Sequence, residues 1–324
     1  MTYSFRPAVR ENVNLLIGLA GSSGSGKTYT AMRLATGMSG DKRFCVIDTE
    51  SGRASHYADQ FQFDVCELRP PFSPARYAEV IAAAVAAGYE VIVVDSMSHE
   101  YAGDGGIADM QEEELERMAG SDYAKRERVK MASWIKPKIE HKKMMQELLQ
   151  VRAHLILCFR AEPKVEMVKE GGQTKIVPKV SLIGLDGWIP VTEKTVPFEL
   201  TVSLLLTPDA PGVPKPIKLQ EQHRALFPPG KAITEDSGHR IVAWAHGGVS
   251  SKAAPPAESA AAGGPYVSPD QAINLADKCK ESGIAPERFL TKAGVKSYAL
   301  LPADKYQQSL EWITKVVEAR TQPQ

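Results

Sequence analysis

Short apolar runs alternate with helical stretches through the first half of the chain. Val13–Ala20 is apolar almost throughout and reads as a strand. Lys27–Met38 follows with Ala31, Leu34, Ala35 and Met38 on one helical face. Phe44–Asp48 and Phe63–Leu68 are the next strands, and the alanine-rich Pro74–Ala87 is a helix. Glu90–Asp95 is almost wholly apolar, as befits the centre of a parallel sheet. This alternation predicts an α/β fold built on a right-handed, doubly wound, mostly parallel sheet.

From Gly103 to Gln150 the pattern is helical and highly charged, first acidic and then basic. His154–Arg160 returns to a strand. Lys164–Lys169 and Thr174–Lys179 flank Gly171-Gly172 and read as a β-hairpin. Phe198–Leu206 alternates apolar and polar residues, which predicts a half-exposed antiparallel strand. Thr234–His246 is the expected closing helix of a core spanning residues 1–247. Residues 248–266, rich in Ala, Gly, Ser and Pro, read as a flexible linker. The remainder, 267–324, opens on a capping box, Ser268-Pro269-Asp270-Gln271. Gly283 ends the helix that this box starts. A second short helix holds Phe289 and Leu290, and a third carries Tyr306, Leu310, Ile313 and Val317 on one face. A separable three-helix module is expected there.

Composition narrows the classes. Lysines and arginines equal aspartates and glutamates, 39 each, so any nucleic-acid surface has to come from local clustering. Cys45, Cys66, Cys158 and Cys279 make no C-x-x-C pair and read as small buried residues of a reducing compartment. No apolar run approaches the roughly 18 residues that a membrane span needs. Met1–Asn12 is charged and lacks the apolar core of a signal peptide. A cytosolic protein is expected, which is the host cytoplasm if the chain is phage-encoded.

The chemistry lies at the first strand–helix junction. Gly21-Ser22-Ser23-Gly24-Ser25-Gly26-Lys27-Thr28 is a complete phosphate-binding loop, with a strand before it and a helix after it. Its glycines let backbone N–H groups converge on an anion at a helix N-terminus. Lys27 is placed to reach the β- and γ-phosphates of ATP, and the Thr28 hydroxyl to ligand Mg²⁺. Val91-Ile92-Val93-Val94-Asp95-Ser96 supplies the acid-tipped strand expected beside the loop, with Asp95 as the second metal ligand. Val46-Ile47-Asp48-Thr49-Glu50 places carboxylates past another strand tip. Either can orient and deprotonate a water; the alternatives are a helix cap or an ion pair with Arg53.

These three elements, in this order, resemble the RecA family of recombination ATPases. The resemblance covers roughly Leu15–Ala245. It is nearest to the short RecA-like ATPases of bacteriophages grouped with single-strand annealing proteins, through Asp95-Ser-Met-Ser-His99-Glu100, Trp134 and Pro137, Cys158-Phe-Arg160, and Phe198-Glu199-Leu200. It implies a RecA-like sheet and Glu50 as the catalytic base. It also implies stacking of adenine on Tyr57, seven residues on, and a homo-oligomer in ring or filament form. Arg160 stands where the family usually has a γ-phosphate-sensing Asn or Gln, a role that a guanidinium can fill bidentately. No N-terminal polymerisation segment of the bacterial recombinase type is present; Met1–Asn12 is too short for a domain.

The family's DNA channel is lined by segments that are basic here. Lys125–Lys143 holds eight lysines and arginines against Glu127 and Glu140. Lys136, Lys138 and Lys142, with Lys164, Lys169 and Lys175 of the hairpin, are the candidate contacts to single-stranded DNA; a solvated helix face is the other reading. His99 and Glu100 either help position water or metal or settle into hydrogen bonds of their own loop. The C-terminal module is expected to serve a phage or host recombination protein, or to capture DNA weakly. A DNA-dependent ATPase of recombination or annealing is the leading reading. A small-molecule kinase and a non-hydrolysing switch that recruits a partner are the alternatives.

Overall fold

The computed structural model describes residues 13–170, 173–179, 185, 187–247, 267, 269–295 and 297–321. Met1–Asn12, the Gly171-Gly172 turn, the linker and Ser268 of the expected capping box lie outside these. The chain divides into two compact units, Met1–Ser250 and Ser251–Gln324.

In the first unit the elements run β1 (Leu16–Gly21), α1 (Lys27–Ser39), β2 (Phe44–Asp48), a 3₁₀ turn (Arg53–Tyr57), β3 (Phe63–Glu67), α2 (Pro74–Ala86) and β4 (Val91–Asp95). Helices α3 (Ser98–Ala102), α4 (Ile107–Ala119), α5 (Tyr123–Ser133) and α6 (Ile135–Gln150) follow. Then come β5 (His154–Pro163), β6 (Val165–Glu170), β7 (Gln173–Pro178), β8 (Trp188–Pro190) and α7 (Val196–Glu199). β9 (Val202–Leu206), β10 (Pro214–Lys218), α8 (Glu221–Arg224) and α9 (Glu235–His246) close the unit. The main sheet has the order β10-β9-β1-β5-β4-β2-β3, with β8 added antiparallel to β5. Every neighbour pair from β9 to β3 is parallel, and β10 is antiparallel to β9. The fold is thus the expected mostly parallel α/β sheet with antiparallel additions.

Side-chain alternation along each strand sorts residues to two cores. Leu16, Ile47, Ile92, Val94, Leu155 and Leu157 face one side, where Tyr77 and Ile81 of α2 and Met144 and Leu148 of α6 cover them. Ile17, Leu19, Val46, Val93, Ile156 and Leu204 face the other, under Ala31, Leu34 and Ala35 of α1 and Ile241 and Ala245 of α9. Helix α1 and α9 meet backbone to backbone: a Cβ on Gly37 would lie 1.9 Å from the Glu235 carbonyl oxygen. The two-pronged Arg33–Glu235 ion pair, at 2.6 and 2.8 Å, fixes the same contact.

Several expectations are corrected. Phe198–Leu206 is not one half-exposed antiparallel strand. Phe198 belongs to the short α7, with Pro197 in its first turn, and β9 begins only at Val202, fully buried between parallel β1 and antiparallel β10. The apparent alternation ran across two elements. Cys66 is exposed, because β3 is an edge strand whose outer residues face solvent, whereas Cys45, Cys158 and Cys279 are buried. The basic stretch is two helices, because Pro137 has no N–H to donate to the Ser133 carbonyl.

β6 and β7 pair antiparallel from Val165↔Pro178 to Glu170↔Gln173. In the second unit α10 (Pro269–Glu281), α11 (Pro286–Ala293) and α12 (Tyr306–Thr321) enclose Leu275, Phe289, Leu301 and Ile313. Val316, rather than the expected Val317, packs on this core beside Tyr306 and Leu310. Among the described residues no helix is long and apolar enough to cross a membrane.

One buried group ties this fold to pH. The Leu15 N–H donates to Nδ1 of His154 at 3.2 Å, so this ring nitrogen is the unprotonated one. Burial, aided by nearby His246, pushes the His154 pKa down to about 4. The folded state thus resists a proton that the unfolded chain accepts near pH 6.5. The resulting stability is present above pH 6.5 and is lost as pH falls toward 4, on the order of 3 kcal/mol in all. His154→Gln keeps an acceptor for Leu15, and urea titrations should show it losing less stability over that window than the parent chain. Identical pH dependence in the two would remove His154 as the cause.

Candidate functional site: a phosphate-loop cleft

The parallel register lines up the strand tips. Gly21 at the end of β1 stands opposite Arg160 of β5, Asp95 of β4 opposite Cys158, and Asp48 of β2 opposite Asp95. The chain turns from β1 into α1 through Gly24 and Gly26, at φ 77° and 79°, where a side chain is disfavoured. Gly21 is sterically required: a Cβ there would lie 2.4 Å from the Ser25 hydroxyl and 2.5 Å from the Leu206 carbonyl. Ser25 is buried behind the loop, and its hydroxyl donates to the Ser22 carbonyl at 2.8 Å. Gly21 and Ser25 therefore shape the loop, while Ser22, Ser23, Gly24, Gly26, Lys27 and Thr28 line a cleft of about 620 Å³. That is ample for a nucleotide.

The Lys27 ammonium donates to the Ser22 carbonyl at 3.0 Å, which folds it over the loop. The Thr28 hydroxyl donates to Oδ2 of Asp95 at 2.6 Å. Asp95 is buried, and burial pushes its pKa up; the Thr28 bond opposes this, while Glu50 and Asp48 add to it. A buried carboxylate with two acids near it and a hydroxyl in contact is an oxygen-donor set suited to a hard dication, and Mg²⁺ fits it. Thr28 and Asp95 would hold that ion.

The second wall is built by the turn after β2. Ser51 at φ 60° and Gly52 at φ 85° reverse the chain. A left-handed non-glycine residue costs about 1 kcal/mol or more. Asp48 offsets this by accepting from the Glu50 N–H at 2.6 Å and the Ala54 N–H at 2.8 Å. Asp48 is thus the brace of the turn, and Glu50 is the carboxylate that reaches the cleft. Arg160 donates to its Oε1 at 2.8 and 3.1 Å, and Arg53 to its Oε2 at 2.5 Å. Burial raises the Glu50 pKa, but the two guanidinium groups outweigh it and hold the group below the ordinary carboxylate range.

Behind this wall the Thr49 hydroxyl accepts from the Ser96 N–H at 2.8 Å and lies 2.7 Å from Nδ1 of His99. Burial and then Arg160 lower the His99 pKa. His99 thus holds the Thr49 hydroxyl and does not line the cleft. Glu100 points away from the cleft to Nδ1 of buried His141, 2.9 Å distant.

Tyr57 lines the cleft from the 3₁₀ turn, its ring 6.0 Å from that of Tyr29. Tyr29, exposed on α1, and His56 were not singled out from sequence; an aromatic directly after the loop's Thr28 was the available signal for Tyr29. Lys136, Lys138 and Lys142 are exposed on α6, away from the cleft lining. Lys138 lies 3.5 Å from Glu193, and Lys164 pairs with Glu162 at 2.8 Å. Lys175 has a partner of its own, and the side chain of Lys169 lies outside the description. Arg126 is tied to Glu112 and Glu116.

A family model described as an AAA domain matches residues 14–182. The chain belongs to this AAA-domain family. The AAA match begins just before β1 and carries the phosphate loop, Glu50, Asp95 and Arg160. It places the chain among P-loop nucleotide-binding ATPases, a class that uses ATP and Mg²⁺. No curated protein matches this AAA-domain chain.

Proposed function

We propose that the chain hydrolyses ATP and acts on single-stranded DNA in phage recombination or annealing, as a ring or filament of identical subunits. The observation that carries hydrolysis is the presence of Glu50 in the same cleft as Lys27, Thr28 and Asp95. Glu50 stays ionised because Arg53 and Arg160 pair with it, so it is competent to accept a proton. It takes that proton from a water whose oxygen bonds to the γ-phosphorus as the bond from that phosphorus to the β–γ bridging oxygen breaks. ADP and phosphate leave. Lys27 neutralises charge on the phosphates, and Arg160, half-exposed at the rim, is the residue that registers the γ-phosphate. A Mg²⁺ held by Thr28 and Asp95 would supply further charge neutralisation on the phosphates.

Tyr57, with Tyr29 beside it, supports stacking of an adenine at the cleft's outer end. Lys136 and Lys142 support the DNA assignment: both are exposed, and neither has an ion pair among the described residues. Exposed Val165, Met167 and Ile176 on the β6–β7 hairpin support contact with a neighbouring subunit.

Three experiments test this reading. Lys27→Ala should weaken both ATP binding and turnover, whereas Glu50→Gln should retain binding and lose turnover by roughly 10²-fold. Full turnover in Glu50→Gln would sink its role as base. Tyr57→Ala should weaken binding of ATP while leaving the affinity for inorganic triphosphate unchanged, as read by calorimetry. Equal losses for both ligands would move the base contact elsewhere. Charge reversal of Lys136, Lys138 and Lys142 should weaken single-strand binding whatever its sequence. It should also lower the slope of log affinity against log salt by roughly two. An unchanged slope would leave the helix face merely solvated, and ATP turnover unaffected by single strands would favour the kinase or switch reading.

A further inference from the structure

The second unit carries eight lysines and arginines against seven aspartates and glutamates over residues 267–324, which hides how they are arranged. Asp277 and Glu281 lie on α10. Lys292 of α11, Lys305, and Lys315 of α12 line a separate groove of about 430 Å³. All three are exposed, and none has an ion pair among the described residues. Glu311 is the carboxylate on this lining. The groove's apolar floor includes Leu301, Phe289 and Trp312. Phe289 is buried, and the half-buried indole sits 6.0 Å from it at 60°.

We infer that this groove is a second single-strand nucleic-acid site, in which a base stacks on Trp312 and Lys292, Lys305 and Lys315 hold the flanking phosphates. The chemistry favours this occupant over an acidic peptide. Exposed lysine–carboxylate pairs contribute little, whereas phosphate neutralisation releases counterions and every base offers a flat face to an indole. Phe289 packs against Trp312 as a tilted ring pair, which limits the ordering needed on binding. The site lies outside residues 14–182 and does not depend on the ATP cleft.

The test uses the full chain without nucleotide and a labelled oligothymidylate of about 15 nucleotides. The charge-reversed variant Lys292→Glu/Lys305→Glu/Lys315→Glu should bind about tenfold more weakly, with a salt slope lower by roughly two. These are surface changes, so circular dichroism should match the parent. Oligonucleotide should quench tryptophan fluorescence in the parent, and Trp312→Phe should remove a distinct part of that quenching. A variant carrying reversals only at Lys136, Lys138 and Lys142 is run alongside. If that variant loses binding while the groove variant keeps parental affinity and slope, the groove inference fails and the proposed function stands. If the groove variant instead loses affinity for a poly-glutamate peptide but not for DNA, the groove is a peptide site and the inference is overturned.

Discussion

The hydrogen bond between Thr28 and Asp95 is the constraint on which the site is arranged. It joins the first turn of α1 to the tip of β4 across an intervening strand. For that bond to form, the ends of β1 and β4 have to lie near one another across β5, and the parallel register sets Asp95 opposite Cys158, two residues before the Arg160 that faces Gly21. Burial on both faces of the sheet fixes the register, since a one-residue slip would send every core side chain to the opposite layer. The cleft is thus a product of core packing as much as of its own residues.

Electrostatics then divides labour among three acids within one cleft region. Asp48 is consumed by backbone N–H groups and holds the turn. Asp95 is buried, raised in pKa and bonded to the Thr28 hydroxyl. Glu50 is paired twice with arginine and kept ionised. Burial acts on both Asp95 and Glu50, but only Glu50 has guanidinium partners, and that difference moves the two pKa values in opposite directions. His99 and Thr49 buttress this division from behind, because the Thr49 hydroxyl connects the Glu50 segment to Ser96.

What was legible in the sequence was mainly local. The phosphate loop, the strands β2 and β4 and the helix α1 announce themselves through spacing and apolar runs, and their bounds match the structure closely. Features that depend on who lies beside whom were not legible. The burial of β9 follows from neighbours β1 and β10, not from its own alternation. Cys66 is exposed because β3 is last in the sheet. The Glu100–His141 pair joins residues 41 apart, and neither residue type carries a signal for the other. A nearly balanced charge total likewise concealed the lysine-lined groove of the second unit.

The position of β9 also bears on where the protein can be cut. The family match ends at residue 182, yet β9 hydrogen-bonds directly to β1, the strand that leads into the phosphate loop. A chain ending with the match would strip β1 of one neighbour and bare a row of unpaired backbone groups along it. It would also remove α9, whose backbone touches α1 at Gly37. The recognisable family segment is therefore shorter than the smallest piece able to shield its own loop-bearing strand, and that piece extends through His246.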